Sequence, residues 1–377
     1  MNHKINKYIN TKLADRKWAT TNTPPKDKYD IIITIPCYNE YDYIFKTLNS
    51  INIQDSVYLE KTIVSIVINN SMDENESVIL NNKKTYEKLL NSTYDFDLIV
   101  IDAFSDGKAI EPKFSGAGMA RKISVDAMLN YLKEDSLICF IDADTILSDK
   151  YLTCIKSSYS KNKWQASIVN FSHQNDEPKT KVLIKEYEKY LKETAANIKS
   201  CGSPYGYVSL GSTMVCTYLA YISIGGMNRK IASEDFYFLQ ELEKYCGVKQ
   251  INDILVHPSS RYASRLYLGT SMRLQKSLAG ELDLTTLYFS EDAYSILGKW
   301  VQLALSSKEK TYNTLKDNIL RIDHNLLEFL NSINLKGAWE SIVNSPSSNH
   351  FEKQFHRWFD GLKTIRLLKY FTKQSHI

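Results

Sequence analysis

The sequence lacks several features that would assign it to a special class of protein. It has no strong excess of one sign of charge, since 47 Lys and Arg stand against 43 Asp and Glu and the net charge is +4. Its six cysteines form no CxxC pair, and its first ten residues contain no apolar stretch of signal-peptide length. The small net charge argues against nucleic acid as the main partner, and the scattered cysteines are typical of reduced thiols. We therefore expect a cytoplasmic protein.

The chain also lacks an uninterrupted apolar run that would suit a transmembrane helix. Residues 200–228 carry no charge, but five glycines and Pro204 interrupt them. Such residues are typical of turns, so we predict buried strands and turns in this segment. With 377 residues, of which 43 % are apolar and 24 % charged, the chain can bury a core and is neither disordered nor fibrous.

Charge is distributed unevenly along the chain. Residues 1–28 and residues 353–373 each carry a net charge of +5, which leaves −6 for the rest. Beyond about residue 270 glycines become rare and helical patterns dominate, as in residues 294–305, 312–333 and 351–371. We predict a basic N-terminal extension over 1–28, a catalytic domain over 29–270 and a helical C-terminal region over 271–377.

Short apolar runs alternate with helical patterns in the first half of the sequence. The runs at 30–36, 62–68, 97–103 and 137–141 are typical of buried strands, and helix-compatible stretches separate them. This alternation predicts βαβ units and an α/β fold with a doubly wound, mostly parallel sheet. Each run ends in polar residues, so we expect the functional site at the carboxyl ends of the strands.

Two pairs of acidic residues are the first candidates for chemistry. Asp142 and Asp144 directly follow the predicted strand 137–141, and their mutual repulsion is relieved where a cation binds. Oxygen ligands of this kind suit Mg²⁺ or Mn²⁺ bound to a diphosphate, although a solvated turn with a capping Asp also fits. Glu234 and Asp235 begin another helical pattern after Ser233, where ordinary helix capping is an equal alternative.

These features form an ordered set that resembles the family 2 glycosyltransferases, which have the A-type (GT-A) nucleotide-sugar-binding fold. The similarity covers residues 29–270. The matched segments are 35–40 (P-x-Y-N-E), 69–71 (Asn-Asn-Ser), 116–122 (G-x-G-x-A-R), 142–144 (DxD), and 225–226 with 234–235 (GG…ED). One departure is that many members have Asp in the loop after the second strand, where this chain has Asn69 and Asn70.

The resemblance implies a role for each matched residue. It implies an inverting, metal-dependent transfer of a sugar from a nucleotide-diphosphate donor to an acceptor hydroxyl, with Asp235 as catalytic base beside Glu234. It further implies that Pro36, Tyr38 and Glu40 line the nucleotide pocket and that Asn70 lies near the base or ribose. It implies that Arg121 contacts the diphosphate, and that Asp142 and Asp144 bind the ribose and the metal. His257 is a candidate third metal ligand, and Arg261 and Arg265 are candidates for the diphosphate. The acceptor, whether glycan, lipid-linked or small molecule, is not readable.

Two other functions remain open at this point. The string FIDADTIL also resembles the nucleophile motif of haloacid-dehalogenase-type phosphatases, which would make Asp142 a nucleophile. A non-catalytic module that binds a nucleotide-sugar is the second alternative.

The C-terminal residues 351–373 combine an apolar stripe with basic residues. Phe355, Phe359 and Leu368 belong to the stripe, and cations occupy many of the other positions. Such a helix suits a peripheral contact with an anionic membrane, while packing of the stripe in the protein core is the alternative.

Overall fold

The computed structural model describes residues 2–14, 16–18, 20, 23–175, 178–261 and 270–374. The chain divides into two compact units. Residues 1–185 and 209–279 form the first unit, and residues 186–208 and 280–377 form the second.

The first unit is built on one mixed sheet, which has eight strands within the described residues. They are β1 (Tyr29–Cys37), β2 (Thr62–Asn69), β3 (Asp97–Ala103), β4 (Leu132–Phe140), β5 (Ile146–Leu147), β6 (Ala166–Phe171), β7 (Met214–Thr217) and β8 (Lys249–His257). Their order across the sheet is β3-β2-β1-β4-β7-β6-β8-β5. The pairs β3–β2, β2–β1, β1–β4 and β6–β8 are parallel, and β7 is antiparallel to both neighbours, as is β5 to β8.

Helices cover this sheet, and the burial of its central strands follows from that cover. Every residue of β2 is buried, as expected for a parallel strand with both faces covered. The helices of this unit are α1 (Asn2–Lys12), α2 (Ile44–Asn52), α3 (Ser56–Leu59), α4 (Glu76–Leu90), α5 (Ala117–Met128), α6 (Tyr151–Asn162), α8 (Tyr218–Ser223), α9 (Glu234–Cys246) and α10 (Thr270–Leu278). Helix α7 (Lys181–Ser200) begins in the first unit and continues into the second.

The basic N-terminal residues pack within the first unit. The hydroxyl of Tyr8 donates to the Asp126 carboxylate at 2.7 Å, and the backbone N–H of Ala14 donates to the same carboxylate at 2.7 Å. Tyr8 is 2 % exposed, and a Cβ on Gly226 would lie only 2.3 Å from its hydroxyl oxygen. The structural division therefore differs from the predicted boundary after residue 28, because apolar and hydrogen-bonding residues of the extension join the core.

The second unit is helical around its own apolar core. Its helices are α11 (Glu291–Leu305), α12 (Tyr312–Leu320), α13 (His324–Ser332), α14 (Leu335–Ile342), α15 (Ser348–Trp358) and α16 (Gly361–Gln374). The pattern at 351–371 forms two helices because Phe359 leaves the helical conformation at ψ 71° and Asp360 accepts from the backbone N–H of Lys363. Phe355, Phe359 and Leu368 are buried in this core, so the apolar stripe packs against the protein.

The predicted fold class is confirmed in its architecture: an α/β fold with a mostly parallel sheet, together with a helical C-terminal region. The bounds predicted for β3 match the structure, whereas the pattern at 312–333 divides into α12 and α13. In the charge-free segment 200–228, β7 and α8 lie among turns. Across the described parts of the chain, we find no helix with the length and apolarity needed to cross a membrane.

Candidate active site

The candidate site lies where β1 and β4 end. These strands are parallel neighbours with Thr34 opposite Phe140, so the loop with Tyr38 and Glu40 and the loop with Asp142 leave the same edge of the sheet. Asn39 adopts φ 57°, a left-handed conformation that Asn tolerates, and its N–H donates to the side chain of Asn82. The sequence prediction that these motifs share one edge is consistent with this topology.

Arg121 is the buried centre of the first half of the site. It lies in the first turns of α5 and its side chain is 2 % exposed. One guanidinium nitrogen donates to Glu234 at 2.5 Å, and the other donates to Asp142. Burial lowers the pKa of Arg121, but the carboxylates of Asp142 and Glu234 raise it by more, so the guanidinium stays charged. One arginine thus joins the DxD segment to the ED segment.

Gly211 and Ser212 complete the surroundings of Asp142. The Ser212 hydroxyl donates to Oδ2 of Asp142 at 2.7 Å and accepts from the Asp142 backbone N–H at 3.1 Å. A Cβ on Gly211 would lie 2.1 Å from Nη2 of Arg121 and 3.1 Å from Oδ2 of Asp142. Glycine is therefore required here so that the arginine can reach the carboxylate.

Arg261 forms the second half of the site in the same manner. Its Nη2 lies 2.5 and 2.6 Å from the two carboxylate oxygens of Glu40, and its Nε donates to Oδ2 of Asp144 at 2.8 Å. Its guanidinium carbon lies 4.1 Å from the centre of the Tyr43 ring, a cation–π contact. Among the described residues, Arg121 thus pairs with Asp142 and Glu234, and Arg261 pairs with Asp144 and Glu40.

The glycines of segment 116–122 serve close packing of protein backbone. A Cβ on Gly116 would lie 2.6 Å from the carbonyl oxygen of Ile231, and one on Gly118 would lie 2.7 Å from that of Asn228. Helix α5 therefore approaches the loop before α9 closely enough for Arg121 to reach Glu234. Lys122, the other cation of this segment, donates to Tyr8 and lies 3.0 Å from Asp126.

Asp235 has an unusual electrostatic environment at the start of α9. Burial and the charge of Glu234 raise the pKa of Asp235 to about 7, and Arg121 opposes the rise. Ser233 adopts φ 59° and its side chain makes no capping hydrogen bond, so the ordinary capping alternative does not explain this pair. A carboxylate with a pKa near neutrality has the properties of a general base.

The loop after β2 is held by its own hydrogen bonds. The Asn70 side chain donates to the carbonyls of Ser71 and Phe104 and accepts from Asn82. Its contact with a base or ribose stays a prediction.

The remaining predicted residues lie around this core. Pro36 belongs to β1, and the His257 ring ends β8 with Nδ1 2.9 Å from the carbonyl oxygen of Ser172. The Gln174 amide bridges the backbone carbonyls of Asp144 and His257 at 2.8 and 2.7 Å. Arg265 lies outside the described residues.

The charges of the site fit a divalent cation. The carboxylates outnumber the guanidinium groups among its described residues: Glu40, Asp142, Asp144, Glu234 and Asp235 against Arg121 and Arg261. A diphosphate at this site, which the resemblance implies, would need further positive charge, and carboxylate oxygens are the donors that Mg²⁺ and Mn²⁺ prefer. The described residues include no group of three or more His, Cys, Asp or Glu arranged to hold a metal, so the metal role of His257 stays a prediction.

Comparison with known proteins finds similarity only at the level of structure. No protein-family model and no curated protein matches the sequence. S. aureus TarS 1–349 in complex with UDP-GlcNAc is similar with a TM-score of 0.45 and 13 % identity, over 87 % of this chain and 91 % of that chain. The mannosyltransferase PcManGT from Pyrobaculum calidifontis, in complex with GDP-Man and Mn²⁺, is similar with a TM-score of 0.41 and 13 % identity, over 100 % and 89 %. Because both TM-scores are below 0.5, this similarity identifies neither the site residues nor the substrates of this chain.

Three residues of the site were not found by sequence reasoning. Asn82 could have been recognised from the sequence, because it is a polar residue in the buried stripe of α4 between Val78 and Leu89. Ser212 and Gln174 could not, since each lies far along the chain from the carboxylate or carbonyl that it contacts.

Proposed function

We propose that this chain is an inverting glycosyltransferase that moves a sugar from a nucleotide-diphosphate donor to an acceptor hydroxyl. The observation that carries the proposal is the single buried guanidinium of Arg121, which joins Asp142 to Glu234 next to Asp235. A donor-binding carboxylate and a candidate base are thereby fixed within one network. Membership of family 2 is part of this proposal.

The chain's own residues would divide the chemistry. Asp235 would take the proton of the acceptor hydroxyl, and its raised pKa of about 7 makes it a stronger base than an ordinary aspartate. Arg121, which is 2 % exposed and bound to both carboxylates, would keep Glu234 and Asp142 in place instead of contacting the diphosphate as the resemblance implies. Arg261 would face the diphosphate, with Pro36, Tyr38, Glu40 and Asn70 in the nucleotide pocket. We assign Arg265 to the diphosphate as well.

A divalent cation, Mn²⁺ or Mg²⁺, would be held by Asp144 and Asp142, with His257 as a further candidate. When bound, it would stabilise the negative charge of the departing nucleoside diphosphate. We propose this from the excess of carboxylates in the site and from their oxygen-only chemistry.

The location of the protein and the chemical class of its acceptor are also part of the proposal. We propose a cytoplasmic protein whose exposed C-terminal cations touch an anionic membrane surface, which would suit a lipid-linked acceptor. Glycans and small molecules are the other acceptor classes.

The test is release of nucleoside diphosphate from UDP-GlcNAc and GDP-mannose in the presence of Mn²⁺. We expect one donor to be hydrolysed or transferred, with at least about a hundredfold loss in Asp235→Asn. Release of inorganic phosphate from a generic phosphoester, lost in Asp142→Asn, would instead support a phosphatase. Tight donor binding without turnover, and with no effect of Asp235→Asn, would support a binding module.

A further inference from the structure

The two arginines of the site are alike in their partners but differ in depth. The side chain of Arg121 is 2 % exposed and that of Arg261 is 18 % exposed. The carboxylates that Arg261 holds, Glu40 and Asp144, are 9 % and 20 % exposed. Arg261 is therefore the cation of the site that solvent and ligands reach more easily.

Arg261 lies where an added cation would have to bind. Its Nε is 2.8 Å from Oδ2 of Asp144, while its Nη2 donates to both oxygens of Glu40. A divalent ion that takes an oxygen of Asp144 as ligand at about 2.0–2.6 Å competes with this guanidinium for the same oxygen. Two cations on one carboxylate oxygen repel each other, so binding of one weakens binding of the other.

The displaced guanidinium would need a new partner. Without Asp144 the guanidinium keeps its hydrogen bonds to Glu40, but its Nε loses its acceptor, and a largely buried N–H group is costly unless it is hydrogen-bonded. A diphosphate supplies that partner, because phosphate oxygens accept bidentate hydrogen bonds from arginine. A metal ion arriving alone brings no such acceptor.

We propose that Arg261 is an exchangeable internal cation. In the donor-free protein its guanidinium pairs with the Asp144 carboxylate and takes the place of the divalent ion. Binding of metal together with nucleoside diphosphate displaces the guanidinium. This inference rests on the proposed function. Its consequence is positive coupling, in which the nucleoside diphosphate raises the affinity for metal and the metal raises the affinity for nucleoside diphosphate by the same factor.

The experiment measures Mn²⁺ binding by calorimetry, with and without saturating UDP or GDP, in the intact protein. In Arg261→Gln we expect Mn²⁺ alone to bind about tenfold more tightly than in the wild type, because its competitor is gone. We also expect the enhancement of Mn²⁺ affinity by the nucleotide to shrink by about tenfold, because the diphosphate loses its arginine. Arg261→Lys should show smaller changes in both quantities. Arg321→Gln, an exposed arginine of the second unit, is the matched control and should change neither.

Each other outcome overturns the inference. Equal Mn²⁺ affinity in the wild type and in Arg261→Gln would show that Arg261 does not compete for Asp144. Weaker Mn²⁺ binding in Arg261→Gln, with native circular dichroism, would show that Arg261 supports the metal site. If no variant binds Mn²⁺, the inference and the metal dependence both fail. Donor turnover in EDTA, measured in parallel, then reports separately on whether the protein is a glycosyltransferase.

Discussion

Asp235 should change its charge near neutral pH, where an ordinary aspartate does not. Burial and Glu234 raise its pKa from 3.8 to about 7 against the opposing effect of Arg121. With that pKa the carboxyl is about 10 % ionised at pH 6 and about 90 % ionised at pH 8. If Asp235 is the base, turnover should rise about ninefold between these pH values and then level off.

The direct assay is NMR of protein labelled with ¹³C only in the aspartate carboxyl carbons. We expect one resonance with a midpoint near pH 7, absent from the spectrum of Asp235→Asn. Burial also raises the pKa of Glu243, at the other end of α9, to about 7, and the selective label keeps this glutamate out of the spectrum. A wild-type spectrum in which every aspartate titrates near pH 4 would refute the electrostatic reasoning.

The same shift predicts a dependence of stability on pH with a definite sign. Since the folded state holds the Asp235 proton more tightly than the unfolded chain, this group's contribution to stability falls as pH rises from 3.8 to about 7, and is constant above that. In Asp235→Asn the free energy of unfolding should fall less with rising pH than in the wild type, because the contribution of Asp235 is gone. Glu243→Gln should likewise lack the contribution of Glu243. Urea unfolding at pH 5 and pH 8 measures both. A fall with pH that is identical in wild type and Asp235→Asn would contradict the shift.

Three further predictions concern other parts of the molecule. Asp144→Asn should abolish the Mn²⁺-dependent part of nucleoside diphosphate binding in calorimetry, and an equal affinity of the wild type in EDTA and in Mn²⁺ would argue against the metal assignment. Gly211→Ala should lower stability by about 1–3 kcal/mol in urea unfolding because its Cβ meets Arg121, whereas Gly298→Ala, with its nearest neighbour at 3.8 Å, should be tolerated. Replacing the exposed Lys369 and Lys373 by Glu should reduce co-sedimentation with anionic vesicles at low salt. Vesicle binding that is unchanged by this replacement would leave the membrane proposal without support.

The sequence allowed the sheet and the meeting of its motifs to be predicted, because both depend on local patterns and on one topological rule. Short apolar runs predicted β1 to β4, although β4 begins at Leu132 rather than at Leu137, and the carboxyl ends of parallel strands share an edge. The side-chain partners of the motif residues could not be predicted from the sequence, and the reason is physical. Arg261 meets Glu40 across 221 positions and Ser212 meets Asp142 across 70, and no local periodicity encodes such contacts.

The same limit explains why the N-terminal segment was predicted as an extension and why the packing of the C-terminal stripe was left open. The basic residues of the N-terminal segment suggested a separate extension. In the folded chain, however, Tyr8 and Ala14 of this segment donate hydrogen bonds to Asp126. At the C-terminus, the sequence predicted one helical pattern over 351–371, whereas the chain divides between α15 and α16 after Trp358. In both places charge suggested a solvent-exposed surface while a few buried residues determined the packing.

The difference in depth between the two arginines gives the site both a fixed and a variable part. Arg121 is enclosed, and Gly211, Gly116 and Gly118 are all required to let it reach its carboxylates. Changing its partners would mean repacking α5 against the loop before α9, so Asp142 and Glu234 should keep their geometry through the reaction. The Arg261 side chain is 18 % exposed among the described residues, and we propose that its partners are exchanged for those of a ligand. Under the proposed function, the site would hold Asp235 in position while the carboxylates paired with Arg261 change partners.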